Sequence, residues 1–86
     1  MVRKDTTVKL KSGLEARPIA MLVQVASQYE SSIYLETDNK RVNAKSIMGM
    51  MSLELDTGAQ VTVACDGNDE EDALEGVAAY IEGKNE

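Results

Sequence analysis

The chain has no histidine, no phenylalanine and no tryptophan, and it carries a single cysteine and a single proline. Without imidazole there is no ordinary general base near neutral pH, no Cys-His pair and no histidine ligand for a metal. Cys65 has no internal disulfide partner. Its charged neighbours, Asp66 and Asp69, are the opposite of the cationic setting that makes a thiol reactive. Within the apolar run Val61–Cys65 it reads as a small core residue, and nothing in the cysteine usage points to an oxidising compartment. No apolar stretch approaches membrane-spanning length, and the first residues lack the apolar segment of a signal peptide, so a cytoplasmic protein is expected.

What is present is 86 residues, enough for one domain over 1–86 with a modest aliphatic core. Tyr29, Tyr34 and Tyr80 are its only aromatics. The formal net charge of −6 argues against wrapping nucleic acid. The acidic excess is local, in Asp66, Asp69, Glu70, Glu71, Asp72 and Glu75. The first half is slightly basic around Lys9, Lys11, Arg17, Lys40, Arg41 and Lys45, which suits a partner docking on one side only. The acidic run is explained as a helix start. Its oxygens lack the alternation and closing glutamate of a calcium loop, so no metal or cofactor site is expected.

Thr6, Val8 and Leu10 alternate with polar neighbours and predict a half-buried first strand, closed by Ser12-Gly13. Pro18 fits the first turn of a helix whose buried stripe is Ile19, Leu22, Val23 and Ala26. Ile33 and Leu35 mark a second strand. Thr37–Lys40 is turn chemistry, and Arg41–Asn43 returns as a third strand to make a hairpin. Ser46 opens a short apolar helix from Ile47 to about Leu53. Gln60–Cys65 is the clearest strand, with Val61, Val63 and Cys65 on one face. Asn68 or Asp69 is placed to cap a last helix with Leu74, Val77, Ala78 and Ile81 as its stripe and Gly83 as its stop. The order βαββαβα, with one apolar face per strand, predicts an α+β open-faced β-sandwich: a four-stranded antiparallel sheet covered on one face by three helices.

Two further patterns concern function. Ser46 precedes an apolar helix, so its hydroxyl is suited to capping free N–H groups, and from position alone a plain cap is the ordinary reading. The helix behind it carries Ile47, Met48, Met50, Met51 and Leu53. So short a helix cannot bury all five against one sheet, and methionine suits an adaptable docking patch as well as a core.

Three motifs carry a family resemblance along nearly the whole chain. Gly13-Leu14-Glu15-Ala16-Arg17-Pro18 resembles the active-site loop of HPr, the phosphocarrier of the bacterial sugar phosphotransferase system. Lys45-Ser46-Ile47-Met48-Gly49-Met50-Met51-Ser52-Leu53 resembles its regulatory helix, and Gly67–Leu74 the start of its last helix. In HPr a histidine precedes Ala-Arg-Pro and carries the phosphoryl group. Glu15 stands there instead, a degenerate carrier site. Among HPr-like proteins the chain is most similar to the catabolite-repression group of bacilli, where that histidine is also replaced, usually by glutamine, and the regulatory serine remains.

The resemblance implies the HPr fold, no enzymatic activity, and phosphorylation of Ser46 by HPr kinase/phosphorylase. It implies that Ile47, Met48 and Met51 face outward beside Ser46, and that the partner is catabolite control protein A, a LacI-type repressor for which the protein is a corepressor. Glu15, Arg17, Met21 and Lys45 join the partner-facing set. Arg17 has two readings, a salt bridge to Glu15 or a contact to phosphorylated Ser46 or the repressor. Lys40 and Lys45 are either kinase contacts or solvated charges. Glu15 reads as drift after loss of carrier function or as a mimic of phosphohistidine. A carrier-type role and direct regulation of a metabolic enzyme are the alternatives. Exchange of the N-terminal strand between two copies, giving a domain-swapped homodimer, is a further expectation.

Overall fold

The structure, a computed structural model, describes residues 1–10 and 16–84. The expected Ser12-Gly13 break and Glu15 lie outside those residues. The elements are β1 (Val2–Thr7), α1 (Ala16–Ser27), β2 (Ser32–Glu36), β3 (Arg41–Asn43), α2 (Ile47–Met51), β4 (Gln60–Asp66) and α3 (Glu70–Ile81). The four strands form one antiparallel sheet in the order β1-β4-β2-β3. This is the predicted α+β open-faced sandwich.

Strand parity decides which side is the core. Ile33 and Leu35 of β2 pair with Cys65 and Val63 of β4, and Thr6 of β1 pairs with Val61. All six are buried. Helix α3 lies over β1, β4 and β2, and α1 packs against α3 and α2. Ile19, Leu22 and Ala26 of α1 join the cluster, as do Val77 and Ile81 of α3 and Met50 of α2, while Val23 packs against it only partly buried.

Four local expectations change. The first strand begins earlier and stops at Thr7, although Val8 and Leu10 are buried as their alternation demands. The chain leaves the ladder there. The Val8 N–H bonds to the Ala59 carbonyl at 2.8 Å, and the Lys9 N–H bonds to the Ile81 carbonyl at the end of α3 at 2.9 Å. The second helix ends at Met51 instead of near Leu53, and Glu54 adopts φ +50, a left-handed residue in the descending loop. In α3 the inward position in the first turn belongs to Ala73, and Leu74 lies at the margin of the core.

The last difference is Asp69, which occupies the N-cap position of α3 but makes no side-chain cap. Its carboxylate instead accepts the Glu30 and Ser31 N–H groups at 2.9 Å each, together with the Ser31 hydroxyl. A carboxylate with three donors ahead of it in space has no reason to turn back to its own helix. Glu70 reaches back instead, accepting the Gly67 N–H at 3.1 Å.

The sheet face away from the helices carries a polar lattice. Arg3, Ala64, Tyr34 and Asn43 share one cross-strand row, and Asp5, Thr62, Glu36 and Arg41 the next. Glu36 sits between Arg3 at 3.4 Å and Arg41 at 3.3 Å, and the Arg41 guanidinium lies 3.9 Å over the Tyr34 ring. Ala64 is fully buried on this open face because its long neighbours close over it.

Candidate functional site

Ser46 connects the β2–β3 hairpin to α2. Its extended backbone (φ −110, ψ 113) is that of an N-cap. The carbonyl accepts the Met50 N–H at 3.0 Å, the first bond of the helix, and the hydroxyl accepts the Gly49 N–H at 3.2 Å. The residue is half-buried, so the hydroxyl is not walled into the core. A methyl group at position 49 would lie 3.5 Å from the Ser46 Oγ, and glycine there leaves the oxygen's flank open.

The segment before Ser46 is held at several points. The Ala44 N–H bonds to the Ile33 carbonyl at 2.8 Å. Asn43 takes the Lys45 N–H on its Oδ1 at 2.8 Å and the Ser46 N–H on its carbonyl at 3.0 Å. The Lys45 ammonium donates to the Tyr29 carbonyl, just beyond α1, at 2.6 Å. Lys40 donates to the Ser52 carbonyl at 2.7 Å. Neither lysine is simply a solvated charge, and each fastens one side of α2 to a neighbouring segment. No sequence signal marked these two bonds, since both acceptors are backbone atoms.

Beyond Ser46 the short helix divides its apolar residues as the family resemblance implied. Met50 and Leu53 are buried. Met48 is 84% exposed, Met51 51%, Ile47 49%, and Met21 on the adjoining α1 46%. Large apolar side chains exposed on neighbouring positions are less ordinary than singly scattered surface residues. Arg17 is exposed in the first turn of α1. The structure thus brings Ser46, Lys45, Ile47, Met48 and Met51 onto one short stretch, with Arg17 and Met21 on the helix packed against it.

Among the described residues the hydrogen bond of the Ser46 hydroxyl is the one it accepts from the Gly49 N–H. Among the described residues no three His, Cys, Asp or Glu side chains are grouped to hold a metal, and no helix is long and apolar enough to cross a membrane. Burial, reinforced by Glu70 and Asp69, pushes the Cys65 thiol up to about 11, consistent with a packed, protonated side chain.

The family model for the PTS HPr component phosphorylation site matches residues 2–83. The chain is 52% identical over 82 residues to the HPr-like protein Crh of Halalkalibacterium halodurans, covering 95% of this chain and 98% of that protein. Among solved structures it is similar to HPr-C-His from Thermoanaerobacter tengcongensis, with TM-score 0.91 and 48% identity over 98% of this chain and 94% of that one. It is also similar to Crh of Bacillus subtilis, whose crystal structure is described as a domain-swapped dimer, with TM-score 0.79 and 51% identity over 98% and 97% of the two chains.

Proposed function

The chain belongs to the HPr family, and from that premise we propose that it is a regulatory member without carrier activity, switched by phosphorylation of Ser46. HPr kinase/phosphorylase installs the phosphate, and the modified protein then acts as corepressor of catabolite control protein A in carbon catabolite repression. The observation that carries the reading is the placement of one half-exposed hydroxyl, capping the Gly49 N–H at the start of a helix, beside three exposed apolar side chains.

Phosphorylation there adds a charge of about −1.5 to −2. The backbone around Ser46 is already shaped, so the modification changes the surface without refolding the domain. In the complex the dianion meets basic groups of the repressor, while Ile47, Met48 and Met51 supply the apolar anchors on which such interfaces depend. Arg17 and Met21, on the helix packed against α2, extend the same side. Lys45 contributes mainly through its bond to the Tyr29 carbonyl.

The missing histidine removes the carrier reaction. Glu15 presents a carboxylate where the family's partner enzymes load an imidazole nitrogen. Incubation with enzyme I and phosphoenolpyruvate is therefore expected to leave the protein unlabelled. The kinase with ATP is expected to label it once, and Ser46→Ala to abolish the label. Labelling in the first assay would restore the carrier reading. The repressor is expected to bind the serine-phosphorylated form and not the unmodified one, and equal binding of both would remove the corepressor role.

The swapped dimer of the Bacillus subtilis relative supports the same exchange here, with β1 of one copy pairing to β4 of the other. Sedimentation across a concentration range tests it. A single species at all concentrations, with the mass of one chain, would rule it out.

A further inference from the structure

We infer that Asn43 is a positioning residue for phosphorylation of Ser46, holding the acceptor in the shape that a kinase binds. The inference rests on Ser46 as the phosphoacceptor and goes beyond it by assigning what keeps that serine in place.

The three residues before Ser46 are secured in different directions. Asn43 closes the β3 ladder opposite Tyr34. Ala44 is fully buried and bonded through its amide to β2. Lys45 is tied through its ammonium to Tyr29. The two amides that enter the helix start, those of Lys45 and Ser46, both end on Asn43, one on its side chain and one on its carbonyl. The side-chain bond alone depends on residue type. An asparagine that accepts the amide two residues on makes a local turn that alanine cannot make, and serine makes it more weakly. Asn43 is exposed, so shortening its side chain leaves the core packing untouched.

The ordinary alternative is an asparagine that merely suits a turn. The two readings differ in kinetics. If the bond from Lys45 to Asn43 sets the fraction of molecules with Ser46 correctly presented, losing it lowers the competent fraction. Apparent affinity for the kinase then falls by that factor, while turnover of the bound complex is unchanged. One modest hydrogen bond corresponds to about a fivefold change in the ratio of correctly presented to misplaced molecules, so the competent fraction falls by at most about fivefold.

The test measures Ser46 phosphorylation by HPr kinase/phosphorylase with ATP for the unmodified sequence, Asn43→Ala and Asn43→Ser, alongside amide exchange at Lys45. Asn43→Ala is expected to raise KM measurably, by up to about fivefold, with kcat retained and to speed exchange of the Lys45 amide. Asn43→Ser is expected to recover most of the KM. An Asn43→Ala protein with unaltered KM would overturn the inference, as would an Asn43→Ser protein no better than the alanine variant. If the unmodified sequence itself were not labelled on Ser46, the proposed function would fail along with the inference, a pattern distinct from a normally labelled parent with an indifferent Asn43→Ala variant.

Discussion

Asp69 and Ser31 are joined twice, the carboxylate accepting both the backbone N–H and the hydroxyl of a serine 38 positions earlier in the chain. Ser31 is almost wholly buried, and a Cβ at Gly67 would come within 2.6 Å of its Oγ. The junction thus fastens the α1–β2 connection to the start of α3 with no room to rearrange. The Ser31 hydroxyl first, then the backbone amides, hold the Asp69 carboxyl below the ordinary aspartate value of 3.8.

A depressed carboxyl stabilises the fold fully above its unfolded value, and that contribution is lost as pH falls through the lower folded value. Asp69→Asn is therefore expected to lower Tm at neutral pH, with the gap to the parent closing as the pH is taken below 3.8. Thermal melts across that range check it. A gap constant down to the lowest pH would show that the charge of Asp69 is irrelevant.

Gly76 faces the Tyr29 ring. A Cβ there would collide with the tyrosine hydroxyl and lie 3.0 Å from Cζ. Glycine to alanine inside a helix ordinarily gains about 1 kcal/mol. Overpacking outweighs that gain, and Gly76→Ala is expected to destabilise by about 1–3 kcal/mol. Adding Tyr29→Phe should recover part of the loss, since the hydroxyl is the nearest clash but not the only one. Urea unfolding of both variants provides the measurement.

Among the described residues Met48 is the most exposed of the large apolar side chains. Met48→Ala is expected to leave Tm unchanged and to weaken binding of the phosphorylated protein to the repressor about tenfold. Titration calorimetry against the purified repressor tests this, and unchanged affinity would take Met48 out of the interface.

Ser46→Ala removes the hydroxyl that accepts the Gly49 N–H. The bond is half-exposed and 3.2 Å long, so the cost is expected at the lower end for a cap, about 0.5–1 kcal/mol. Denaturation should show a small loss of stability with the fold intact, separating loss of labelling from loss of structure.

Cys65 is expected to resist alkylation in the folded protein at neutral pH, where burial keeps its thiol protonated. Its raised folded value contributes stability that is complete below the unfolded value of 9.0 and is lost as pH rises through about 11. Iodoacetamide labelling with and without urea separates the two states, and rapid modification of the native protein would contradict the packing.

Periodicity alone was enough for the element order and most of the core. Each strand and helix exposes one polar face, and burial of the other leaves little freedom. The alternation of Val61, Val63 and Cys65 and the opposed spacing of Met48 and Met50 are local properties of a chain that bonds to itself at short range. The candidate site was legible through the motif around Ser46, since a capping hydroxyl and the helix it caps are neighbours in sequence.

Long-range partnerships were not legible, because several acceptors were available to each donor and only the packing of distant segments selects one. Asp69 had the right position for a cap and was taken instead by Ser31. Lys45 and Lys40 found backbone carbonyls that no side-chain pattern advertises. Ala64 became buried on the open face through the strand register that set Arg3 and Tyr34 beside it. Composition and spacing by themselves determined the architecture and the absence of imidazole, and the family resemblance added which apolar residues of the short helix face outward. The tertiary structure decided how the segment carrying the serine is fastened to the rest of the fold, because that depends on a lysine and a helix end meeting in space.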